Sequence, residues 1–277
     1  MLDIAKSVVF GVVEGVTEWL PISSTGHMII LNEFLSLNQP ESFVNLFLVV
    51  IQLGAIMAVI ISFWHTLWPF RRRGNEDKLS VDPTKLKLWL RILVACVPAA
   101  IIGLLFDNYF EQWFYNAWSV AAALIIFGVA FIAVERFNKG RQPKVTKLSQ
   151  ITIPMALLIG VFQLIAAIFP GTSRSGATIV GALLLGVSRT VAAEFTFCLA
   201  VPVMAGASLL KIVKYGAGFT GLQIVILAVG MLTAFVVSLV VVKWLMKYIK
   251  HHDFQIFGWY RIGLGLLVVL LFALHVI

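Results

Sequence analysis

The sequence predicts an all-α polytopic membrane protein: six transmembrane helices plus two re-entrant helical hairpins, arranged as an inverted-topology repeat. Three observations predict it. The 277 residues are 60% hydrophobic and only 12% charged, against about 25% charged residues in a soluble domain, and the mean hydropathy is +0.98. Six apolar stretches are long enough to cross a bilayer. Two further apolar segments are each interrupted by a cluster of Pro, Gly, Ser and Thr. The runs 222–242 and 264–277 are apolar almost throughout, which excludes the alternating pattern of a membrane β-barrel. A single integral membrane domain is expected over 1–277, with one repeat over about 1–138 and the other over about 150–277.

The six spans fall at 43–63, 89–106, 117–137, 189–211, 221–243 and 257–277, because about 20 apolar residues cover the hydrocarbon core. Charge in the connections orients them. Arg71, Arg72, Arg73, Lys78, Lys85 and Lys87 crowd 64–88; Lys139, Arg141, Lys144 and Lys147 lie in 138–150; Lys243, Lys247 and Lys250 close the fifth span. The connection 107–116 has Asp107 and Glu111 and no basic residue. Lys and Arg collect on the cytoplasmic side, so the basic connections are cytoplasmic and 107–116 is external; Lys211 and Lys214 run against the trend. The net charge of +8 is thereby assigned to membrane orientation, and no nucleic-acid partner is expected. Cys96 and Cys198 each lie in an apolar run, so no disulfide framework or metal cluster follows. The first twenty residues do not read as a signal peptide, because Glu14 and Glu18 interrupt the apolar run.

Counting crossings fixes the two interrupted segments. The spans before and after it require 150–187 to begin and end on the cytoplasmic side, and 1–37 to begin and end outside. Parity allows 1–37 either to re-enter from outside or to cross twice; because both segments share the same broken pattern, each is expected to enter the bilayer, turn at its polar cluster and leave by the same face. Irregular backbone at that depth is tolerated only inside protein or against a wet cavity. The two are also related. "GVVEGVTEWLPISSTG" from Gly11 matches "GVFQLIAAIFPGTSRSG" from Gly160, pairing Gly11 with Gly160, Glu14 with Gln163, Pro21 with Pro170, Ser23 with Thr172 and Ser24 with Ser173. A hairpin followed by three spans makes the second copy inverted relative to the first, and a ligand site is expected where the tips meet.

The tips carry the chemistry. Glu14 and Glu18 are four apart and share a helix face; two carboxylates there need a retained proton or a cation between them. A charge at the bilayer centre costs on the order of 3 kcal/mol, so neither is expected there without a function. Their oxygens suit Mg²⁺ or Ca²⁺. In "PGTSRSGAT", Arg174 sits among Thr172, Ser173, Ser175 and Thr178. A glycine-rich turn that opens a helix offers backbone N–H groups, and the guanidinium fork fits phosphate oxygens. Ser23, Ser24 or Thr25 supplies a nucleophile, and His27 its base or the proton for the leaving group. Together these groups point to phosphoryl chemistry on an amphipathic substrate. Gly176 and Gly181 read as packing residues. Gln52 and Glu194 are further polar residues inside spans, Glu194 being placed to neutralise Arg189 or Arg174. His65, His251, His252 and His275 lie in loops or at the chain end and are assigned no role.

"EGVTEWLPISSTGH", "PGTSRSGAT" and "VSRTVAAEFTFCLAVPVMAGA" resemble the signatures of the undecaprenyl-diphosphate phosphatase family of the bacitracin-resistance type, over essentially the whole chain. The resemblance implies an enzyme that removes the terminal phosphate of undecaprenyl diphosphate, a polyprenyl lipid, leaving the monophosphate carrier used in cell-wall synthesis. It implies action from the external face of the bacterial cytoplasmic membrane, dependence on a divalent cation, and a homodimer. It makes Ser24 the nucleophile with His27 close by, Glu14 and Glu18 the paired glutamates, and Arg174 the phosphate-binding arginine beside Ser173 and Thr178. Small residues such as Gly103 and Gly128 would let a lipid tail lie between spans.

Three other readings are available from the residues. A polyprenyl-phosphate transporter or flippase would use the same inverted repeat and anion cradle without a nucleophile. A membrane phosphatase with a histidine nucleophile would echo "STGH" but needs a later arginine-and-histidine element that "SRSGAT" lacks. A structural scaffold has no need of charges in both interrupted segments.

Overall fold

The computed structural model describes residues 1–72, 79–114, 116–216 and 218–274. Arg73, Lys78 and His275 fall outside these, as do the side chains of Arg71, Arg72, Asp107 and Glu111. The helices are, in order, α1 (Leu2–Thr17), α2 (Ser24–Phe34), α3 (Glu41–Val50), α4 (Gln52–Ser62), α5 (Trp64–Leu67), α6 (Pro83–Phe114), α7 (Ala117–Asn138), α8 (Ile153–Ile168), α9 (Arg174–Leu184), α10 (Arg189–Tyr215), α11 (Gly221–Tyr248) and α12 (Gln255–Ala273). Among the described residues, six helical stretches are long and apolar enough to cross a membrane: Glu41–Ser62, Pro83–Gly103, Ala117–Asn138, Arg189–Tyr215, Gly221–Tyr248 and Gln255–Ala273. They coincide with the six stretches read from hydropathy. The protein is an all-α polytopic membrane protein.

The differences from the sequence reading are local. The connection expected at 107–116 is helical as far as Phe114. No proline or glycine interrupts it, and aromatic rings four apart stack along it, Phe106 on Phe110, Phe110 on Phe114 and Tyr109 on Trp113, a spacing that stabilises a helix turn by turn. The basic connection at 64–88 is not wholly irregular either. It holds α5 and a small antiparallel ribbon, β1 (Phe70–Arg72) and β2 (Leu79–Val81), in which Phe70 pairs with Val81.

Both interrupted segments fold as two helices joined by a short turn, α1–α2 around 18–23 and α8–α9 around 169–173. Their ends are anchored by hydrogen bonds. The Asp3 carboxylate, at the start of α1, accepts from Asn38 N–H (3.0 Å) and Gln39 Nε2 (2.9 Å) beyond the end of α2. In the second segment, Asn138 Nδ2 donates to Leu183 O at the end of α9 (3.1 Å), and Ser188 N–H to Val145 O (2.8 Å). Arg91 of α6 donates to Ser149 O just ahead of α8 (3.2 Å).

The remaining packing is close and glycine-dependent. α1 lies parallel to α11: a Cβ on Gly11 would meet Gly230 O, and one on Gly15 would meet Ala234 O. Gly160 of α8 presses in the same way on Ala95 of α6. α7 and α12 run antiparallel, with Gly128 and Gly258 backbone to backbone: a Cβ on either would sit 2.7 Å from the other's carbonyl oxygen. Gly128 is therefore filled by α12 and cannot admit a lipid tail, contrary to the expectation for it. One buried core joins the two tips: Trp19 and Ile22 pack with Ile179 and Val180 of α9, with Phe131 of α7, and with Phe195 and Phe197 of α10.

Candidate active site

The two turns are built alike. Ser23 and Ser173 each take a left-handed backbone conformation, φ 74° and 67°, unusual outside glycine and a feature that concentrates at functional sites. Each then caps the helix that follows, its Oγ accepting from Gly26 N–H or Gly176 N–H at 3.2 Å. A helix start needs such an acceptor for its free N–H groups. This corrects the residue pairing read from sequence beyond the prolines. Ser23 is the counterpart of Ser173, and Ser24 that of Arg174, because the second turn is one residue longer.

The turns meet at Glu18. Its Oε1 is 2.8 Å from Arg174 Nη2, an ion pair with side chains 8% and 13% exposed. Its Oε2 accepts from Ser24 Oγ at 2.6 Å, and its backbone carbonyl accepts from Ser175 Oγ at 3.2 Å. Charge-assisted bonds of this kind are the strong ones. Arg174 is braced further by Thr196 O (3.2 Å) and Met204 Sδ (3.5 Å) on α10. Ser173 Oγ lies 3.1 Å from Ser175 Oγ. Of the three first-tip hydroxyls that chemistry left open, Ser24 is the one bonded to a carboxylate. Ser23 serves its cap, and Thr25 is exposed, outside the buried network.

Glu14, one helical turn before Glu18, is 1% exposed, and neither of its oxygens has a hydrogen-bond partner. A bare buried carboxylate is costly, and two carboxylates plus phosphate oxygens and water are a usual Mg²⁺ donor set. Glu14, with Glu18 one turn on, would offer carboxylate oxygens to a divalent cation, Glu18 giving up one of its present partners to do so. Among the described residues, no group of three His, Cys, Asp or Glu side chains converges, so the protein alone offers an incomplete shell.

Three residues sit differently from the sequence reading. His27 Nδ1 donates to Ser23 O (2.7 Å), which leaves Nε2 as acceptor for Tyr260 O–H (2.8 Å). Both ring nitrogens are engaged away from Ser24, so the group in contact with its hydroxyl is Glu18 and not His27. Thr178 is fully buried inside α9, its hydroxyl donating to Arg174 O (2.9 Å) and accepting from Thr196 Oγ1 (2.9 Å). It shapes the helix behind Arg174 and does not face the turn. Glu194 neutralises neither arginine: it hydrogen-bonds Thr66, Arg174 pairs with Glu18, and Arg189 is held bidentate by Glu135.

The sequence reading missed Arg261. It lies in the middle of α12, fully buried, and donates to Pro21 O (3.3 Å) in the first turn and to Gly171 O (2.9 Å) and Thr172 O (2.7 Å) in the second. One side chain thus ties both turns together, and a Cβ on Gly176 would stand 2.9 Å from its Nη1. A lone Arg inside a span of mean hydropathy 2.0 was the available signal, since intramembrane charges mark function by default.

A polytopic helical membrane protein whose two helical hairpins meet at a buried serine–carboxylate–arginine centre is the class that fold and site define. The chain belongs to the family described as Bacitracin resistance protein BacA, whose family model matches residues 7–267. It is similar to proteins named undecaprenyl-diphosphatase in Desulfitobacterium hafniense, 58% identical over 100% of this chain and 99% of that one. A protein from Enterococcus faecalis with the same name is 52% identical over 99% of this chain and 98% of that one. One named undecaprenyl-diphosphatase 1 in Clostridium acetobutylicum is 55% identical, again over 99% and 98%.

Proposed function

We propose that this protein hydrolyses undecaprenyl diphosphate to undecaprenyl phosphate and inorganic phosphate, and so returns a lipid carrier to cell-wall synthesis. The observation that carries the reading is the Ser24–Glu18–Arg174 contact between the two turns. The names of its relatives favour hydrolysis over the transporter reading, which leaves a carboxylate-bound serine without a task.

The Arg174 fork gives one Nη to Glu18 and the other to Thr196 O. A terminal phosphate, more highly charged than a carboxylate, competes for that fork. Once Arg174 turns to phosphate, Glu18 is free to take the Ser24 proton as the hydroxyl attacks phosphorus. The P–O bond to the bridging oxygen breaks, the lipid leaves as monophosphate, and Ser24 carries the phosphoryl group. Glu18 passes that proton to the departing monophosphate and then takes one from an attacking water; the bond from phosphorus to Ser24 Oγ breaks, inorganic phosphate leaves, and the proton returns to Ser24. Ser173, Ser175 and the N–H groups opening α9 line the anion's position. A Mg²⁺ or Ca²⁺ held by Glu14 and Glu18 would neutralise the diphosphate and polarise its terminal phosphorus.

We read the two broken segments as re-entrant hairpins of an inverted repeat, 1–138 and 150–277, in one membrane domain. The contacts support this reading, because they exchange between halves: α1 packs on α11 as α8 packs on α6, and α7 packs on α12. The parallel run of α1 with α11 supports entry of the first hairpin from outside, and on that reading the nucleophile faces the external side of the cytoplasmic membrane. Purified protein should release phosphate from undecaprenyl diphosphate, and chelation should stop it. Absence of release under any divalent cation would refute the assignment.

A further inference from the structure

Beside the first turn, between α1, α11 and α12, runs a groove of about 520 Å³ whose walls include Val12, Val16, Trp244, Ile256, His27 and Tyr260. That volume is within the usual range of ligand sites, about 300–1,000 Å³. Val12, Trp244, Ile256 and Tyr260 are also exposed on the lipid-facing side, so the groove opens sideways toward the bilayer. Its wall is apolar except near the turn, and there the polar atoms are already satisfied: Thr17 Oγ1 donates to Val13 O, and His27 Nε2 and Tyr260 O–H bond each other. Such a surface suits an apolar occupant. Thr17 and His27 also bracket the site in sequence, next to Glu18 and three residues after Ser24.

The groove runs in a telling direction. α1 ends beside Ala234–Ser238 of α11, and the groove continues past it to Trp244 and Tyr248, the end of α11 rich in lysine. By the charge rule that end is cytoplasmic. A lipid whose head is bound from the external side points its tail the same way.

We propose that this groove seats the isoprene units of the polyprenyl diphosphate that follow the first, with the His27–Tyr260 pair at its head-proximal end. The proposal rests on the phosphatase reading. It makes the open space beside α1, and not the closed α7–α12 contact at Gly128, the place where the enzyme recognises a prenyl chain.

The test fills the groove from two sides, with Val16→Phe and Ile256→Trp, and compares hydrolysis of undecaprenyl, farnesyl and dimethylallyl diphosphates in detergent. Both variants should raise KM for undecaprenyl and farnesyl diphosphate at least about tenfold, the scale of a hydrophobic-pocket clash, with kcat/KM for dimethylallyl diphosphate within about twofold of the unsubstituted protein. A farnesyl diphosphate analogue with a photoreactive group near its tail should label peptides containing Trp244 or Ile256. The groove assignment is overturned if both variants keep their KM values for all three substrates, if they lose all three equally while folded, or if phosphatidic acid abolishes labelling as well as unlabelled farnesyl diphosphate does. If the unsubstituted protein releases no phosphate from any of them, the phosphatase reading itself has failed, and the labelling result still reports on the groove.

Discussion

Glu18 and Arg174, 156 residues apart in the chain, lie 2.8 Å apart with their charges paired, and Ser24 is bonded to the other oxygen of the same carboxylate. The pair does more than hold the hairpins together. In the proposed mechanism it holds the Arg174 guanidinium until phosphate competes for it, and that exchange frees Glu18 as a base. Glu18→Gln, Ser24→Ala and Arg174→Ala are each expected to reduce phosphate release at least about a hundredfold, the range for losing a proton-transfer or charge-stabilising group. Protein rapidly mixed with substrate labelled in its terminal phosphate should retain label on Ser24 in the unsubstituted enzyme and none in Ser24→Ala. Three variants with near-normal turnover would show that the contact is only structural.

Glu14 contributes differently. With both oxygens unpartnered, it is the group with most to gain from a cation. Glu14→Gln should raise the Mg²⁺ or Ca²⁺ concentration for half-maximal activity by about tenfold or more. A binding readout separates this from catalysis. The cation alone should raise the melting temperature of the unsubstituted protein, as any ligand of the native state does, and should raise that of Glu14→Gln much less at equal concentration.

Arg261 holds three buried carbonyls across the two turns. Arg261→Ala leaves them without donors, at about 1–3 kcal/mol for each unsatisfied buried group. The expected result is a lower melting temperature together with a loss of kcat, and Arg261→Lys, with one compact donor group, should recover part of each. Retention of both quantities in Arg261→Ala would remove the clamp from the account.

The start of the first hairpin is acid-sensitive. Hydrogen bonds from the Gln39 side chain and the Asn38 N–H hold the Asp3 carboxyl below its ordinary value, with Lys6 and the chain amine adding to the effect. A depressed carboxyl stabilises the fold above its unfolded value, about 3.9, and that contribution fades as pH falls through the lower folded value. Thermal melts from pH 6 down to pH 3 should show Asp3→Asn losing less stability than the unsubstituted protein. A parallel decline in the two would exclude the contact as its source.

Sequence alone determined the six spans and the two interrupted segments, because hydropathy and the prolines and glycines that break a helix act over neighbouring residues. Glu14, Glu18 and Arg174 were legible for a related reason: a charge is conspicuous wherever the surrounding twenty residues are apolar. Motif chemistry brought the nucleophile down to three hydroxyls, and resemblance favoured Ser24. Only the tertiary structure decided which hydroxyl meets a carboxylate, since Ser23, Ser24 and Thr25 are adjacent and the left-handed backbone at Ser23 sets which way each side chain points. It likewise decided that His27 faces Tyr260, that Thr178 turns inward, and that Arg261 serves the backbone of two distant turns. Apart from the Ser24–Glu18 contact, six positions apart across the turn, these join residues 18 to 240 positions apart, fixed by how glycine-lined helices dock against one another, and no local pattern in the chain records them.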